Sequence, residues 1–464
     1  MLIPLKLVRD RPLQQQLVEQ LRDLIASRRL QSGTRMPSTR MLAEQFAVSR
    51  MTVLLAYERL IAEGYLETIP TKGTFVSRAT AEALSCPIDA ESFQGAAALP
   101  CSGGIGDGRI GRPDPTLFPI TRWRALLRDA VGRVGAGSAI DHAAGVARLR
   151  VAIAGWLSAS RGLAVAPSQI VVVSGRQQAV HLAARLLLRE GARAVVEDPG
   201  DERTASTYAE AAAEVRAVPV DHSGLRPDLL PDGPVALLHL TPEHQRPLGV
   251  VLSAERRAKV LQWAARAGAT IVAEDSDGEF RYGGMEAPPL MSLDHDGRVV
   301  HLGCFATSLG PWITLGYLAV PPAMVDAAQA SKRMIDDSAG SVECAALAEL
   351  LQSGAYARHL HRSRKIYMSR RDALMAALRQ HFDSGATGGA GLHLTWEIPA
   401  AFGEASDFAA QARRCGLEAG FAGGVNHPVL LLGFGMLSEA RLQAGITRLA
   451  SEAGGFISSS KRVS

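Results

Sequence analysis

The residues whose chemistry most needs explaining lie in a polar turn between two apolar stretches, HLGCFATSLGPWITLGYLAV at positions 301–320. The apolar stretches predict buried strands, and the turn carries Ala306, Thr307 and Ser308. A primary amine in such a turn could form a Schiff base, whereas a hydroxyl group cannot. No lysine follows, at a turn, any of the apolar strands predicted for the large sheet described next. The six lysines are Lys6, Lys72, Lys259, Lys332, Lys365 and Lys461.

The turn belongs to a long region in which apolar runs alternate with amphipathic segments. Strands are predicted at QIVVVSG, AVVEDPG, VRAVPV, PVALLHLTP, TIVAED, RVVHLGCF and GYLAVP, with helices after several of them. Continuous apolar strands separated by helices are typical of a mostly parallel sheet covered on both faces. The tail, from SRRDALMAALRQHF onward, predicts a smaller α/β lobe. The predicted fold class is therefore α/β.

Length and composition predict a soluble protein of two or three domains. The chain has 464 residues, 47% of them hydrophobic and 21% charged, which is too long for one compact core. No apolar run reaches the roughly 18 residues of a membrane span, and the first residues lack the features of a signal peptide. The 5 cysteines are scattered and lack metal-binding spacing. We therefore expect a cytoplasmic location, no membrane contact and no metal site.

Positive charge is concentrated at the start of the chain. Residues 1–78 contain 12 Lys+Arg and 7 Asp+Glu, a net charge of +5, whereas the rest of the chain is close to neutral. Leu13, Leu17 and Leu21 recur at helical spacing and predict a first helix, which Gly33 is expected to end. Localised positive charge favours a polyanionic partner.

Two further helices and a hairpin complete this region. STRMLAEQF predicts a helix capped by Ser38, with Met41, Leu42 and Phe46 facing inward. After a short turn, SRMTVLLAYERLIAEGYL predicts another helix capped by Ser49. YLETIPTKGTFVS then alternates on both sides of a turn, which indicates a hairpin. Together these elements predict a winged helix-turn-helix, whose second helix enters the major groove of DNA.

The predicted motif places hydrogen-bond donors where double-stranded DNA would lie. Arginines near the helix ends can reach phosphates or base edges, short hydroxyl side chains near helix N-termini favour phosphate, and a glycine at the wing tip permits close approach. The candidate DNA-binding residues are Arg35, Ser38, Arg40, Ser49, Arg50, Thr52, Lys72 and Gly73.

The whole of LRDLIASRRLQSGTRMPSTRMLAEQFAVSRMTVLLAYERLIAEGYLETIPTKGTFV closely resembles the winged helix-turn-helix of the GntR family. The remainder resembles the type I aminotransferase fold through LFPITRW, SGRQQAVHLAARLL, EDPG, TPEHQRPLGVVLSAERR, DGEFRY, LGYLAVP and LLLGFGMLSEA. The two parts together resemble the MocR/GabR subfamily of transcriptional regulators. The resemblance implies a DNA operator, a head-to-tail homodimer, and an aminotransferase-like domain that binds pyridoxal phosphate (PLP) through a lysine and senses a small molecule.

Several positions depart from the PLP-binding pattern that the resemblance implies. GTFSKTL becomes GCFATSL, so Thr307 stands at the lysine position and Ala306 at the preceding phosphate serine. The acid opposite the pyridine nitrogen is Glu274, one methylene longer than aspartate, and the tyrosine that contacts the ring oxygen is Ser276. The phosphate arginine before LGY is Thr314.

Three further cofactor positions are also changed. Asp201 stands at the position of the aromatic residue that would stack on the ring, Arg176 at that of the small residue facing the phosphate, and Ile140 at that of the tyrosine expected near YGDPAG. A charge-assisted hydrogen bond contributes roughly 1.5–3 kcal/mol, so losing two weakens binding by two orders of magnitude or more. We therefore expect no covalent PLP and no catalytic residue, and we predict that PLP is not bound.

Two interpretations of the altered cleft stay open at this stage. It could hold a different effector, with a candidate pocket formed by Arg176, Asp201, His244, Gln245 and Glu274. Alternatively, the replacements pair with each other, for example Arg176 with Asp201 or Glu274.

The sequence leaves three functions in competition. The leading one is a transcriptional regulator that acts without covalent PLP, with a DNA-binding domain at 1–78, a linker at 79–112 and an aminotransferase-like dimerisation and effector domain at 113–464. The others are a PLP-dependent enzyme or PLP-responsive regulator with a relocated or non-covalent cofactor, and a purely partner-binding protein.

Overall fold

A computed structural model describes the chain in segments. These are residues 3, 5, 7–8, 12–27, 29–62, 65–69, 73–77, 110–134, 147–211, 213–275, 277–282, 288–336, 340–382, 386, 390–398, 405–422 and 429–460. The chain divides into two compact units, Met1–Pro100 and Cys101–Ser464. Most of the predicted linker lies outside the described residues, and its boundaries stay a prediction.

The small unit contains three helices and a two-stranded antiparallel hairpin. The helices are α1 (Leu13–Ala26), α2 (Thr39–Phe46) and α3 (Arg50–Ala62), and the strands are β1 (Leu66–Ile69) and β2 (Gly73–Val76). Their apolar faces form one core of fully buried side chains that includes Leu17, Leu21 and Leu60. The predicted winged helix-turn-helix is confirmed.

Two details of this prediction were wrong. The first helix ends at Ala26 rather than at Gly33, because residues after it pair with the wing: the Gly33 N–H donates to the Val76 carbonyl at 2.9 Å. Met41 was expected to face inward but is 55% exposed. The next two residues, Leu42 and Ala43, face the core, and Met41 lies outside the apolar stripe of the helix, since adjacent residues point about 100° apart.

The large unit is built on an eight-stranded sheet of order β3-β10-β9-β8-β7-β4-β5-β6. The strands are β3 (Ile170–Val173), β4 (Arg193–Asp198), β5 (Glu214–Asp221), β6 (Gly224–Leu225), β7 (Leu237–Leu240), β8 (Thr270–Asp275), β9 (Val299–Cys304) and β10 (Gly316–Ala319). Strands β5, β4, β7, β8 and β9 pair in parallel, whereas β10 runs antiparallel to both of its neighbours. The predicted mostly parallel sheet is confirmed.

Helices cover the sheet and lead into a smaller sheet. They are α4 (Ile120–Val134), α5 (Ala147–Arg161), α6 (Arg176–Leu187), α7 (Glu202–Glu210), α8 (Ala254–Ala267), α9 (Ala306–Leu309), α10 (Val325–Arg333), α11 (Ser341–Gln352), α12 (Ala355–Phe382), α13 (Ala405–Arg414) and α14 (Glu439–Ser460). The smaller antiparallel sheet has the order β11-β13-β12, from β11 (His393–Glu397), β12 (Glu418–Ala422) and β13 (Val429–Gly433). The predicted second α/β lobe is thus present.

The parallel strands bring their carboxyl ends to one edge of the large sheet. Parallel sheets bind ligands outside this edge, because the loops that follow the strands meet there. Helices α6, α7 and α9 each begin within a few residues of the end of a strand. The residues that begin these helices are therefore candidates for a site.

Candidate functional site

Polar side chains project from adjacent strands near the carboxyl edge of the large sheet. Glu197 lies on β4, His239 on β7 and Glu274 on β8, and all three are buried. His239 Nε2 lies 3.1 Å from Glu274 Oε2, and its Nδ1 lies 2.7 Å from the hydroxyl of Tyr208. A buried carboxylate needs compensating partners, and this chain of contacts supplies one of them.

Arg176 at the start of α6 supplies the compensating cation. Its Nε donates to Glu274 Oε1 at 2.7 Å, and its Nη2 donates to Thr204 Oγ1 at 2.9 Å. Its Nη1 forms an ion pair with Asp201 Oδ2 at 3.0 Å, without hydrogen-bond geometry. Arg176, Asp201, His239 and Glu274 are called the Arg176 cluster below. The predicted pairing of Arg176 with these two carboxylates is confirmed.

The electrostatics of the Arg176 cluster favour its charged form. Burial disfavours ionisation of Glu274, but the Arg176 guanidinium and the hydrogen bond with His239 hold its pKa well below the ordinary value. Burial likewise opposes ionisation of Asp201, whose pKa is nevertheless lowered by Arg176 and Arg203. Within the cluster, one guanidinium thus lies against two ionised carboxylates.

Little open space remains beside these charges. A cleft of about 20 Å³ is lined by Arg176, Val196, Glu197, Gly200, Asp201, Thr204, His239, Thr241 and Arg246. This is room for about one water molecule, whereas ordinary ligand pockets measure roughly 300–1,000 Å³. The cluster therefore fills the edge of the sheet where a ligand would be expected.

Glu197 is the one acid of this cleft that stands apart from Arg176. Its Oε2 accepts hydrogen bonds from the Thr241 N–H at 3.1 Å and from the Thr241 hydroxyl at 2.6 Å. Burial raises the pKa of Glu197 to about 7, even though the hydrogen bonds from Thr241 and Gln245 favour its charged form. Glu197 can therefore change its protonation state near neutral pH.

The turn with the predicted lysine position forms the short helix α9. Thr307 and Ala306 are partly buried on it, and Thr314 is exposed on the segment that precedes β10. The Thr314 carbonyl lies 3.2 Å from the place that a Cβ on Gly175 would occupy, so Thr314 lies at the start of α6. Ser276 and Ile140 lie outside the described residues.

No described lysine of the large unit lies next to a strand end. Lys259, Lys332 and Lys365 are all in helices, and the fully buried Lys332 pairs with Asp336. Within the described part of the large unit, no lysine at a strand end offers the amine that the resemblance implies at position 307.

Two residues of the candidate effector pocket lie to one side of the Arg176 cluster. The amide nitrogen of Gln245 reaches Glu197 at 3.4 Å and the Pro199 carbonyl at 2.8 Å. The buried His244 lies further away, with its Nδ1 3.1 Å from Asp277 Oδ2 and its ring packed against His393 of β11. The structure therefore groups Arg176, Asp201 and Glu274 but separates His244 from them.

Sequence reasoning missed Glu197, His239 and Arg246 at this cleft. Glu197 and His239 lie on strands whose apolar neighbours dominate the pattern, so alternation could not single them out. Arg246 follows the recognised Gln245 directly, and its charge was the available signal.

A larger cleft lies elsewhere on the large unit, beside α8. Its volume is about 510 Å³, and its lining includes Arg256, Lys259 and Trp263. The two cations are already paired, Arg256 with Asp221 and Lys259 with Glu255. Since Arg256 and Lys259 are compensated in this way, it is the weaker candidate.

The small unit places the predicted DNA-binding hydroxyl groups at two helix starts. Ser38 caps α2, because its Oγ accepts from the Met41 N–H at 3.2 Å. Ser49 Oγ accepts from the Thr52 N–H at 3.0 Å and lies 2.7 Å from the Thr52 hydroxyl. Both serines are exposed, so each helix start stays accessible to a phosphate.

The arginines of the small unit lie on the same elements. Arg50 opens α3, and its Nε lies 3.4 Å from the Thr39 hydroxyl at the start of α2. Arg40 pairs with Glu44 at the surface. The Arg35 guanidinium lies over Gly73, which has a φ of 113° and begins β2. Lys72 lies outside the described residues.

Exposed apolar side chains of α3 were also missed by the sequence reasoning. Met51, Leu54 and Leu55 are 57%, 36% and 41% exposed. Residues 51–57, MTVLLAY, contain more apolar residues than one buried face of a helix needs, and this excess was the available signal.

Two classes of site find no support in the described residues. No described helix is long and apolar enough to cross a bilayer. Among the described His, Cys, Asp and Glu side chains, no three are grouped so that they could hold a metal ion.

Comparison with known proteins matches each unit to a family. A model described as "Bacterial regulatory proteins, gntR family" matches residues 13–76, and one described as "Aminotransferase class I and II" matches residues 114–401. The "probable rhizopine catabolism regulatory protein MocR" of Rhizobium meliloti is 35% identical over 391 residues, which are 80% of this chain and 78% of that protein. The chain belongs to the MocR-type transcriptional regulators.

Other similarities of this MocR-type regulator agree with that assignment. The "HTH-type pyridoxine biosynthesis transcriptional regulator PdxR" of Corynebacterium glutamicum is 35% identical, over 78% of each chain. The crystal structure of an archaeal alanine:glyoxylate aminotransferase is 25% identical and matches with a TM-score of 0.67, over 74% of this chain and 89% of that one. The large unit therefore has the aminotransferase fold.

Proposed function

We propose that this MocR-type regulator binds a double-stranded DNA operator and that its aminotransferase-like unit works without PLP. It is not an enzyme of the PLP-dependent class, because Thr307 offers a hydroxyl where those enzymes need an amine. The single observation that carries the proposal is the Arg176 cluster. In this cluster the Arg176 guanidinium pairs with Glu274 and Asp201 at the edge of the sheet where the cofactor would lie.

The residues at this edge do not fit PLP. Glu274 is the acid expected to face the pyridine nitrogen, but both of its oxygens already accept from Arg176 and His239. Asp201 would place a negative charge beside the ring and phosphate instead of an aromatic face. The cleft beside Arg176 and Asp201, of about 20 Å³, is too small for a ring with a phosphate group.

The large unit then acts as a dimerisation domain, and a homodimer with head-to-tail subunits is part of the proposal. A dimer would present two small units to DNA at a fixed spacing, as palindromic operators require. A candidate effector would have to open the Arg176 cluster, since Arg176 already contacts both Glu274 and Asp201.

Spectroscopy of the full-length protein tests the cofactor proposal. Purified protein is mixed with PLP, reduced with borohydride and examined by absorption and intact-mass spectrometry. We expect no visible imine band and no mass increase by one pyridoxyl group at any single site. A stoichiometric adduct, or tight binding of PLP in equilibrium dialysis, would overturn the proposal and favour a PLP-responsive regulator.

Binding to DNA is tested with duplexes selected from a random-sequence pool by the full-length protein. Arg50→Ala should cost about 1–3 kcal/mol and relax the preference at one base pair, since arginine pairs bidentately with guanine. Arg40→Ala should weaken binding to all duplexes and lower the salt slope by about one.

The matched control is Arg216→Ala, which removes an exposed charge from the large unit. It should leave both DNA-binding properties unchanged. Failure to enrich any sequence, or equal losses for Arg216→Ala and Arg50→Ala, would contradict operator binding by α3.

A further inference from the structure

Helix α3 presents an apolar stripe to the outside of the small unit. Met51, Leu54 and Leu55 are spaced three and four residues apart, which places them on one face of the helix. They are 57%, 36% and 41% exposed, whereas Val53 and Tyr57 on the other face are buried. Three large apolar side chains exposed together lower solubility, and such patches commonly mark interaction sites. We therefore expect this stripe to contact a partner.

Positively charged groups lie near the start of the stripe. Arg50 precedes Met51 directly, Arg40 lies on the neighbouring α2, and residues 1–78 carry a net charge of +5. The start of α3 adds the positive end of its helix dipole. The partner that fits this surface is therefore a polyanion that also exposes apolar groups. DNA has this combination in its major groove, where thymine exposes its 5-methyl group.

We propose that Met51, Leu54 and Leu55 read thymine methyl groups beside the base pair contacted by Arg50. The inference rests on the proposed binding of DNA and adds to it the kind of base that α3 recognises. From Met51 to Leu55 the helix rises about 6 Å, which is about two base-pair steps of roughly 3.4 Å. The operator half-site should contain one or two A·T pairs at this place.

The contact is confined to the first half of α3. One turn beyond Leu54 and Leu55, the same face carries the exposed carboxylate of Glu58. The adjacent Arg59 is also exposed, so the two opposite charges offset each other and this part of the helix adds no net attraction for the DNA backbone. Ile61, 37% exposed and further along α3, is therefore the matched apolar control outside the contact.

Replacement of thymine by deoxyuridine removes the methyl group and leaves base pairing intact. Full-length protein is used to select duplexes from a random pool, and each conserved thymine is then replaced by deoxyuridine. We expect binding to weaken about fourfold at one or two positions, which corresponds to about 0.8 kcal/mol for one buried methyl group. At other thymines the affinity should not change.

Variants assign the effect to α3. In Leu54→Ala the preference for thymine over deoxyuridine should fall to about one at the position that Leu54 contacts. In Ile61→Ala and in Arg50→Ala it should stay at about fourfold, although Arg50→Ala binds every duplex more weakly. This pattern separates methyl recognition from general loss of DNA affinity or of folding.

The outcomes separate this inference from the proposed function. Specific binding without any thymine preference overturns methyl recognition and leaves operator binding intact. A lack of enriched sequences overturns both. If Leu54→Ala changes the self-association measured by sedimentation and leaves the thymine preference unchanged, the stripe is a protein contact and the inference is wrong.

Discussion

Replacing Arg176 by methionine should destabilise the large unit strongly. Methionine keeps much of the side-chain volume but removes the cation that neutralises Glu274, whose side chain is 0% exposed, and Asp201, whose side chain is 26% exposed. Removing one partner of a buried ion pair costs about 3–5 kcal/mol, because the remaining charge stays buried. We expect a loss of this size in the free energy of unfolding at pH 8.

The loss should depend on pH in a defined direction. In the wild type the folded pKa of Glu274 lies well below 4.5, so its stabilising effect is present above pH 4.5 and is lost only as the pH falls through that low pKa. Without Arg176, burial should raise the folded pKa above 4.5. As the pH rises above 4.5, the destabilisation of the variant should then grow by up to about 1.4 kcal/mol per pH unit, until the pH reaches the new pKa of Glu274.

Urea unfolding followed by tryptophan fluorescence measures this effect in the full-length protein. All 5 tryptophans lie between positions 123 and 396, so the signal reports on the large unit. Arg203→Met is the matched control, because Arg203 contacts the same Asp201 at 3.4 Å but its side chain is 73% exposed. An exposed pair contributes at most about 1 kcal/mol.

A double-mutant cycle identifies the cause. Glu274→Gln in the Arg176→Met background should recover about half or more of the loss, because no buried charge is left uncompensated. A loss below about 1 kcal/mol for Arg176→Met, or a loss that is the same at pH 5.5 and pH 8, would refute the assignment of Arg176 as the cation that neutralises this edge of the sheet.

Three other predictions concern single positions. Thr307→Lys restores an amine, but with Arg176 in place we expect no imine band after PLP is added; such a band would show that the cleft opens for the cofactor. The pKa of Glu197 is raised from the ordinary 4.5 to about 7 in the folded protein, so its contribution to stability is fully present below pH 4.5 and is lost as the pH rises through 7. Between pH 4.5 and pH 8, the free energy of unfolding of Glu197→Gln should therefore rise by about 3 kcal/mol relative to that of the wild type, as measured by urea unfolding. A difference between the two proteins that does not change with pH would contradict the raised pKa. Ser49→Ala removes the cap that accepts from Thr52 and should cost about 1 kcal/mol in the unfolding of the small unit, measured by circular dichroism, with no loss expected for the control Gln31→Ala at an exposed position.

Much of the fold followed from the sequence, because buried parallel strands read as continuous apolar runs. The antiparallel direction of β10 was not predicted, since the apolar run GYLAVP is the same in either direction. Only 11 residues, 305–315, separate β9 from β10, and a parallel connection needs a dozen or more residues. Connection length was thus the unused signal.

The end of α1 could not be read from local signals. Gly33 has a positive φ of 77° and is a good helix terminator, but its conformation serves a contact with Val76, 43 positions along the chain. Local sequence carries no information on such a pairing. The prediction for Met41 was wrong for a related reason. Met41 and Leu42 are adjacent apolar residues, and the sequence alone does not show which of the two faces the core.

For the candidate site, the sequence indicated which residue types differ from the family pattern, but not how these residues are arranged in space. Thr307 and Arg176 stood out because a family motif fixes the residue types expected there. The partners Tyr208 and His239 come from separate elements, and nothing in their local sequence marks a contact of 2.7 Å between them. Long-range pairing of this kind requires the three-dimensional arrangement.

Asp201 serves two structures at once, since its side chain caps α7 through the Arg203 N–H at 2.9 Å and also neutralises Arg176. Substituting an aromatic residue there would uncap the helix and leave the guanidinium with one carboxylate instead of two. Single substitutions at positions 176, 201 and 274 would therefore each lower the stability of the fold. We expect these three positions to vary together among related sequences. An exchange of Asp201 for an aromatic residue would pass through less stable intermediates.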